Sequence, residues 1–290
     1  DAKVSADATG NGDGGSVVVF SKDATVIAGE LTARGGVAGG NGGFVETSGL
    51  AGFAIAQAPD VSARSASGTG GEWLIDPYNL TIVAGGGNTN INAGNPFAAT
   101  GNTASLGVDL ITGALVGGNT VTVSTGAGGG QNGDITLDTT LDYDGTGAGT
   151  LVLNADGTIV TTVNGNIVDS DLATLDALNL DWNADAITIG ADIDLRGGTA
   201  DLAASAGGVA TVGVGVQIDA NSIVVASMGA VTLATNTNTL SVVNNGAAGN
   251  IAITEANGLT VASLVNASAA GEISLVSTTG NIGLNNGSVS

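Results

Sequence analysis

Histidine and cysteine are absent from the 290 residues, and Lys and Arg number only 5 against 26 Asp and Glu. Zinc held by Cys or His, haem on a His ligand, a cysteine nucleophile and a Ser-His-Asp triad therefore each lack a required part. A net charge of −21 leaves too few cations to neutralise a run of phosphates. Nucleic acid is excluded as a partner, and anionic lipid head groups are repelled. Without cysteine there is no disulfide stapling, although this assigns no redox compartment. Aromatic residues make up 3% and prolines number 3, so the core has to be aliphatic. No apolar run approaches the roughly 18 residues of a membrane span.

What the chain has in excess is glycine, 50 residues, and aliphatic side chains. A low-aromatic acidic chain is a candidate for disorder, but 43% hydrophobic content, 11% charged residues and a mean hydropathy of +0.36 argue for a large buried core. The first residue is Asp1, and no charged-then-apolar leader precedes the first repeat, so a piece of something longer is expected.

Between the glycines, apolar residues alternate. Ile187, Ile189, Ile193 and Leu195 fall on one side, with Thr188, Asp192 and Asp194 on the other, which is strand periodicity. Further short strands are predicted at Leu202–Ala204, Val209–Val216, Ile223–Ala226, Val231–Ala234, Leu240–Val243, Ile251–Thr254, Leu259–Val261, Ile273–Val276 and Ile282–Leu284. The Gly-Gly, Asn-Gly and Asp-Gly pairs between them supply positive-φ corners.

Five phrases share the unit glycine, polar or small, aliphatic, any, aliphatic, beginning at Gly133, Gly229, Gly249, Gly271 and Gly280. From Gly229 to Gly249 to Gly271 the spacing is 20 and then 22 residues, a solenoid period. A sandwich of hairpins would show two-residue turns and a spacing of roughly 8–12 residues. A parallel β-helix fits better. Turns of roughly 22 residues rising about 4.8 Å each predict on the order of 13 turns and a rod near 60 Å.

Two stretches break the alternation. Leu106, Leu110, Ile111 and Leu115 predict a short helix around Val108–Leu115, ending at Gly117-Gly118. Asp169–Leu178 carries Leu172, Leu175 and Leu178 behind Ser170 or Asp171 as N-cap, which reads as one or two helical turns. The prolines Pro59, Pro77 and Pro96 mark an irregular excursion at 58–118 within a single shaft, 1–290.

Gly39-Gly40-Asn41-Gly42-Gly43-Phe44-Val45-Glu46-Thr47-Ser48-Gly49, preceded by Gly14-Gly15-Ser16-Val17-Val18-Val19-Phe20 and followed by Trp73-Leu74-Ile75-Asp76-Pro77-Tyr78-Asn79-Leu80-Thr81-Ile82, forms a compound signature. It resembles the repeat region of large bacterial exoproteins related to filamentous haemagglutinin, the secreted partner in two-partner secretion. Residues 10–140 carry the likeness, and the remainder matches in repeat style. The resemblance implies a right-handed parallel β-helix, exported through an outer-membrane β-barrel transporter to the bacterial cell surface or medium. It also implies an adhesive role toward a host or surface receptor that the residues do not name.

Catalytic and metal chemistry have few candidates. Asp142/Asp144, Asp169/Asp171 and Asp192/Asp194 are carboxylate pairs that on a strand would lie about 6.6 Å apart, a spacing within reach of glycosidase chemistry. Solvated strand faces and turns explain them more simply, and a polyuronate lyase would want more cations than Arg196 alone. Calcium is the one metal suited to an all-oxygen set. Asp142-Tyr143-Asp144-Gly145 begins like a calcium loop without completing one, and Gly129–Ile135 departs from the nonapeptide calcium motif. Trp73, Trp182, Phe44, Phe53 and Tyr78 are candidates for a carbohydrate patch or, better, for core ends. Asn164, Asn166, Asn244, Asn245, Asn285 and Asn286 at corners suggest amide ladders between turns. The reading is a non-enzymatic structural or adhesive shaft without catalytic, cofactor or metal residues. A self-assembling filament through open strand edges is the alternative, and a calcium-dependent glycan enzyme the weaker one.

Overall fold

The computed structural model describes residues 2–22, 24–49, 52–65, 68–77, 79–86, 103–125, 132–171 and 177–285. Every pairing between its named strands is parallel, and three ladders run side by side along one coil. In the first, ten successive pairings join Ser16–Ser21, Phe44–Gly49, Glu72–Pro77, Thr120–Ser124, Gly149–Asn154, Leu178–Ala184 and Thr199–Ala204, then the second halves of Ile218–Ser227 and Val231–Asn244, to Leu259–Asn266 and Ile282–Leu284. The second runs from Asn79–Val83 through Ile135–Leu137, Thr158–Thr161, Ala186–Ile189, Val209–Thr211 and the start of Val231–Asn244 to Ile251–Glu255 and Ile273–Ser277. The third, shorter, stacks Leu141–Asp142, Ile167–Val168, Ile193–Asp194 and the start of Ile218–Ser227. The chain is a parallel β-helix, all-β but for one short helix among the described residues.

In-register stacking puts like on like. Val45, Trp73, Val121, Leu151, Leu180, Ala200, Ile223, Leu240 and Val261 form one continuous buried column. Beside it, Trp182 lies between Leu153 and Leu202, and the neighbouring inward positions Ala184, Ala200 and Ala204 are small. Ile187, Ile189, Ile193 and Leu195 all point inward, as the alternation requires. Burying an aliphatic side chain of this size contributes about 1.5–3 kcal/mol.

The coil is longer than the repeat phrases suggest. Val17 pairs with Val45 and Val45 with Trp73, a step of 28 residues, whereas Val231 pairs with Ile251 and Ile251 with Ile273, steps of 20 and 22. The 20–22 period therefore belongs to the last coils. Ten first-ladder pairings at about 4.8 Å give the described residues a stack about 48 Å long, not 60 Å. The phrase from Gly280 also changes ladder, since Ile282 stacks on Leu259 in the first and not on Ile273 in the second.

The corner glycines prove to be matters of clearance more than of dihedral angle. Gly249 has φ 115 and Gly229 and Gly271 are not among the positive-φ residues. A Cβ on Gly229 would lie 2.7 Å from the Gly207 carbonyl carbon, and one on Gly271 2.5 Å from the Gly249 carbonyl oxygen. Successive coils touch there backbone to backbone, and no side chain fits.

Other expectations divide. The helix forms at Val108–Leu115 and buries Val108, Leu110, Ile111, Ala114 and Leu115. Gly117 (φ 94) and Gly118 (φ 76) end it, and the Asn119 amide donates to the Ala114 carbonyl at 2.6 Å. Within 58–118, Glu72–Pro77 and Asn79–Val83 keep their ladder registers. Of the second expected helix, Leu172 and Leu175 lie outside the described residues, and Leu178 opens a strand. Val231–Ala234 and Leu240–Val243 are the two ends of one 14-residue strand, Val231–Asn244. Val209–Val216 is strand only to Thr211. Because Leu180 is inside the column and Thr188 outside it, Leu180→Ala is expected to cost about 2–5 kcal/mol in urea unfolding. Thr188→Ala should stay within about 0.5 kcal/mol.

Candidate functional site

Asp142, Asp144 and Asp192 become acceptors for turns of the adjoining coil. The Ser170 N–H and hydroxyl donate to Asp142 at 3.0 and 2.7 Å, the same hydroxyl reaches Asp144 at 3.2 Å, and the Asp171 N–H donates to Asp144 at 3.1 Å. Asp169 turns inward and is 4% exposed. Burial pushes its carboxyl up and the Asp144 charge adds to this, while the charge of Arg196 and the Asp171 N–H oppose it. Arg196 donates to the Asp169 carbonyl at 2.8 Å and stands 3.7 Å from the Asp194 carboxylate. Asp192 accepts the Gln217 N–H at 3.1 Å, and Asp194 accepts the Arg196 N–H at 3.0 Å. The pairs lie at the corners flanking the third ladder.

The candidate calcium loop wraps an aromatic ring. Tyr143 is 1% exposed, its hydroxyl donates to the Gly147 carbonyl, and a Cβ on Gly145 or Gly149 would collide with its ring or hydroxyl. Asp134, at the end of the second candidate, accepts the Thr158 N–H and hydroxyl at 2.7 and 3.0 Å. Gly129–Gln131 lie outside the described residues, among which no group of three acidic side chains is placed to hold a metal ion. Both tryptophans are buried, and Trp73 Nε1 donates to Thr47 Oγ1 at 2.9 Å, so neither offers an exposed ring face for stacking. Tyr78 and the Phe53 side chain are outside the described set. Asn244 does form an amide ladder, donating to Asn266 at 2.9 Å. Asn164 and Asn166 instead meet Asp138 and the Asp192 N–H, and Asn286 lies outside the described residues.

One concavity lies where the chain leaves the first ladder. Here the inward positions are small, Ala155, Ala184, Ala204 and Ser227, so the corner sinks into a groove of about 550 Å³ running along the coil axis. Its rims carry stacked polar groups. Asn183 donates to Asn154 at 3.0 Å, and Asp185 accepts the Ser205 hydroxyl at 2.9 Å. With Asp156 also on the rim and no Lys or Arg in the lining, the groove suits a neutral or cationic hydrogen-bonding ligand and disfavours an anion. Alanine and asparagine recurring at these corners were the sequence signal for it.

Stacking also sets carboxylates opposite one another. Asp181 pairs with Asp201 and Asp194 with Asp219. Burial, then Asp181, pushes the Asp201 carboxyl above its ordinary 3.8; burial and Asp194 outweigh a hydrogen bond from Asn236 and the charge of Arg196 to do the same for Asp219. A raised folded-state value means that the folded chain keeps a proton which the unfolded chain has released. The contribution to stability is greatest below pH 3.8 and is lost as pH rises through the folded value. Asp201→Asn is expected to raise Tm by about 1–3 °C at pH 7 and to leave it unchanged at pH 3, as read by thermal melts at both pH values. Comparison with protein-family models and with curated proteins finds no match for this chain.

Proposed function

We propose that the chain is the shaft of a secreted or surface-displayed bacterial exoprotein of the filamentous-haemagglutinin kind, giving length and stiffness and presenting an adhesive surface. The observation that carries the reading is the continuous first ladder, eleven strands in ten parallel pairings with its inward columns filled. The two signature phrases add to it. Phe44–Gly49 lies directly on Glu72–Pro77, with Val45 against Trp73, so the phrases that carry the resemblance encode consecutive coils. On this reading an outer-membrane β-barrel passes the chain unfolded, and the absence of cysteine leaves nothing to cross-link beforehand. The axial groove is the adhesive surface, and chemistry is left to other modules.

End-to-end assembly is the second reading, favoured by the last coil. Ile273–Ser277 and Ile282–Leu284 each pair on one side only among the described residues, and Ile282 and Leu284 are 38% and 67% exposed. Such an edge takes another coil, whether from a second copy or from further chain. Light scattering and negative-stain microscopy separate the two. Discrete rods that carry beads onto cell or abiotic surfaces are expected of a shaft. Fibres that vanish in Leu284→Asp would replace it with the filament, and rods whose beads adhere no better than albumin-coated ones would remove the adhesive role.

A further inference from the structure

The alternation Val212-Gly213-Val214-Gly215-Val216 reads as the continuation of a strand, yet the chain leaves the second ladder after Thr211. Gly213 and Gly215 take φ of 110 and 82, so the segment projects as a loop. Val212 is 44% exposed and Val214 wholly so, a costly display in water at two neighbouring positions. Thr161, Ile189 and Thr211 stack in register, so the turns that follow them are stacked too. The lowest of the three carries Val163, 80% exposed, and the middle one only Gly190 and Ala191. Between the Val163 turn and the valine loop a cleft of about 630 Å³ therefore opens, floored by Gly190 and Ala191.

Its polar lining is Asn166 and Asp192, and no Lys or Arg takes part. Asp192 Oδ1 accepts the Gln217 N–H at 3.1 Å, and Oδ2 has no hydrogen-bond partner among the described residues. The backbone of residues 213–216 makes no hydrogen bond among the described residues either. The cleft thus combines apolar walls, one carboxylate and a stretch of open backbone donors and acceptors, on a chain of net charge −21.

We propose that this cleft docks an extended segment of a partner protein that presents a lysine. The aliphatic stem lies against Val163, Val212 and Val214, the ammonium meets Asp192, and the segment's backbone hydrogen-bonds to the open N–H and C=O groups of residues 213–216. The acidic surface steers such a segment and turns away an acidic one. This goes beyond the shaft reading and stands without it.

The test titrates the chain with acetylated, amidated Ala-Ala-Lys-Ala-Ala and its norleucine and glutamate counterparts, reading the methyl signals of the exposed valines by NMR. Saturable shifts are expected with the lysine peptide, weaker by about tenfold in Val214→Ser. Asp192→Asn, which can still accept the Gln217 N–H, should bind the lysine peptide no better than the norleucine one. Val214 is fully exposed, so its replacement leaves the fold intact. Three results would overturn the proposal: no saturable shift with the lysine peptide, equal binding of norleucine or glutamate, or flotation of the chain with phosphatidylcholine vesicles.

Discussion

Each coil hydrogen-bonds to the next along parallel ladders about 4.8 Å apart, and this single spacing governs what the sequence can hold. An inward side chain is limited by its counterparts directly above and below. That is why Trp182 is accompanied by Leu153 and Leu202 in register and by alanines at the adjacent inward positions. It is also why Gly14-Gly15, Gly42-Gly43 and Gly70-Gly71 recur every 28 residues before first-ladder strands. At Gly43 and Gly71 a Cβ would meet the carbonyl oxygen of the glycine one coil below, so the corner closes only without side chains.

The same spacing concentrates charge. Acidic residues on outward rows of neighbouring coils stand opposite one another, and 5 cations cannot neutralise 26 carboxylates. Those cations that are well placed act across coils. Arg34 reaches Asp7 in the coil before it at 2.7 Å and Asp60 in the coil after it at 3.5 Å. Burial works against the Asp7 charge, but the hydrogen bonds and charge of Arg34 and the Thr32 hydroxyl outweigh it and hold the carboxyl well below its usual range. Arg64 does similar work with neutral acceptors, donating to the carbonyls of Gly35 and Ala8. Elsewhere amides substitute for cations. Asn257 donates to Asn236, which donates to Asp219 at 2.6 Å, a ladder that offsets repulsion by hydrogen bonding.

Alternation made the solenoid class legible, because inward and outward positions keep a period of two around every coil. Ile187 to Leu195 show this across a corner. Coil length was less legible, since the clearest phrases, at Gly229, Gly249 and Gly271, all lie in the shortest coils. The 28-residue glycine pairs were visible but do not resemble those phrases. At Val209–Val216 the pattern misled, because glycine satisfies alternation as well as any residue while permitting the positive φ that ends a strand. The axial groove could not be read from any one segment. It exists because Ala155, Ala184, Ala204 and Ser227, separated by 20 or more residues, stack at one corner.

The change in coil length has its own chemistry. From Ile218 onward the third ladder merges into the long strands, and Ile218 is followed in register by Thr235 and then by Glu255. An aliphatic column thus ends in a carboxylate that is wholly buried. Glu255 accepts the Thr235 hydroxyl at 2.6 Å and the N–H groups of Thr237 and Asn257, each at 3.2 Å. A buried acid is tolerable when its oxygens are occupied in this way. Its acceptor oxygens hold the backbone of two successive coils where the cross-section narrows, which hydrocarbon packing alone would not orient. Among the described residues polar side chains such as these work at corners, where the backbone turns away from its ladder, and it is at corners too that small residues, stacked or set between valine turns, open the axial groove and the valine cleft.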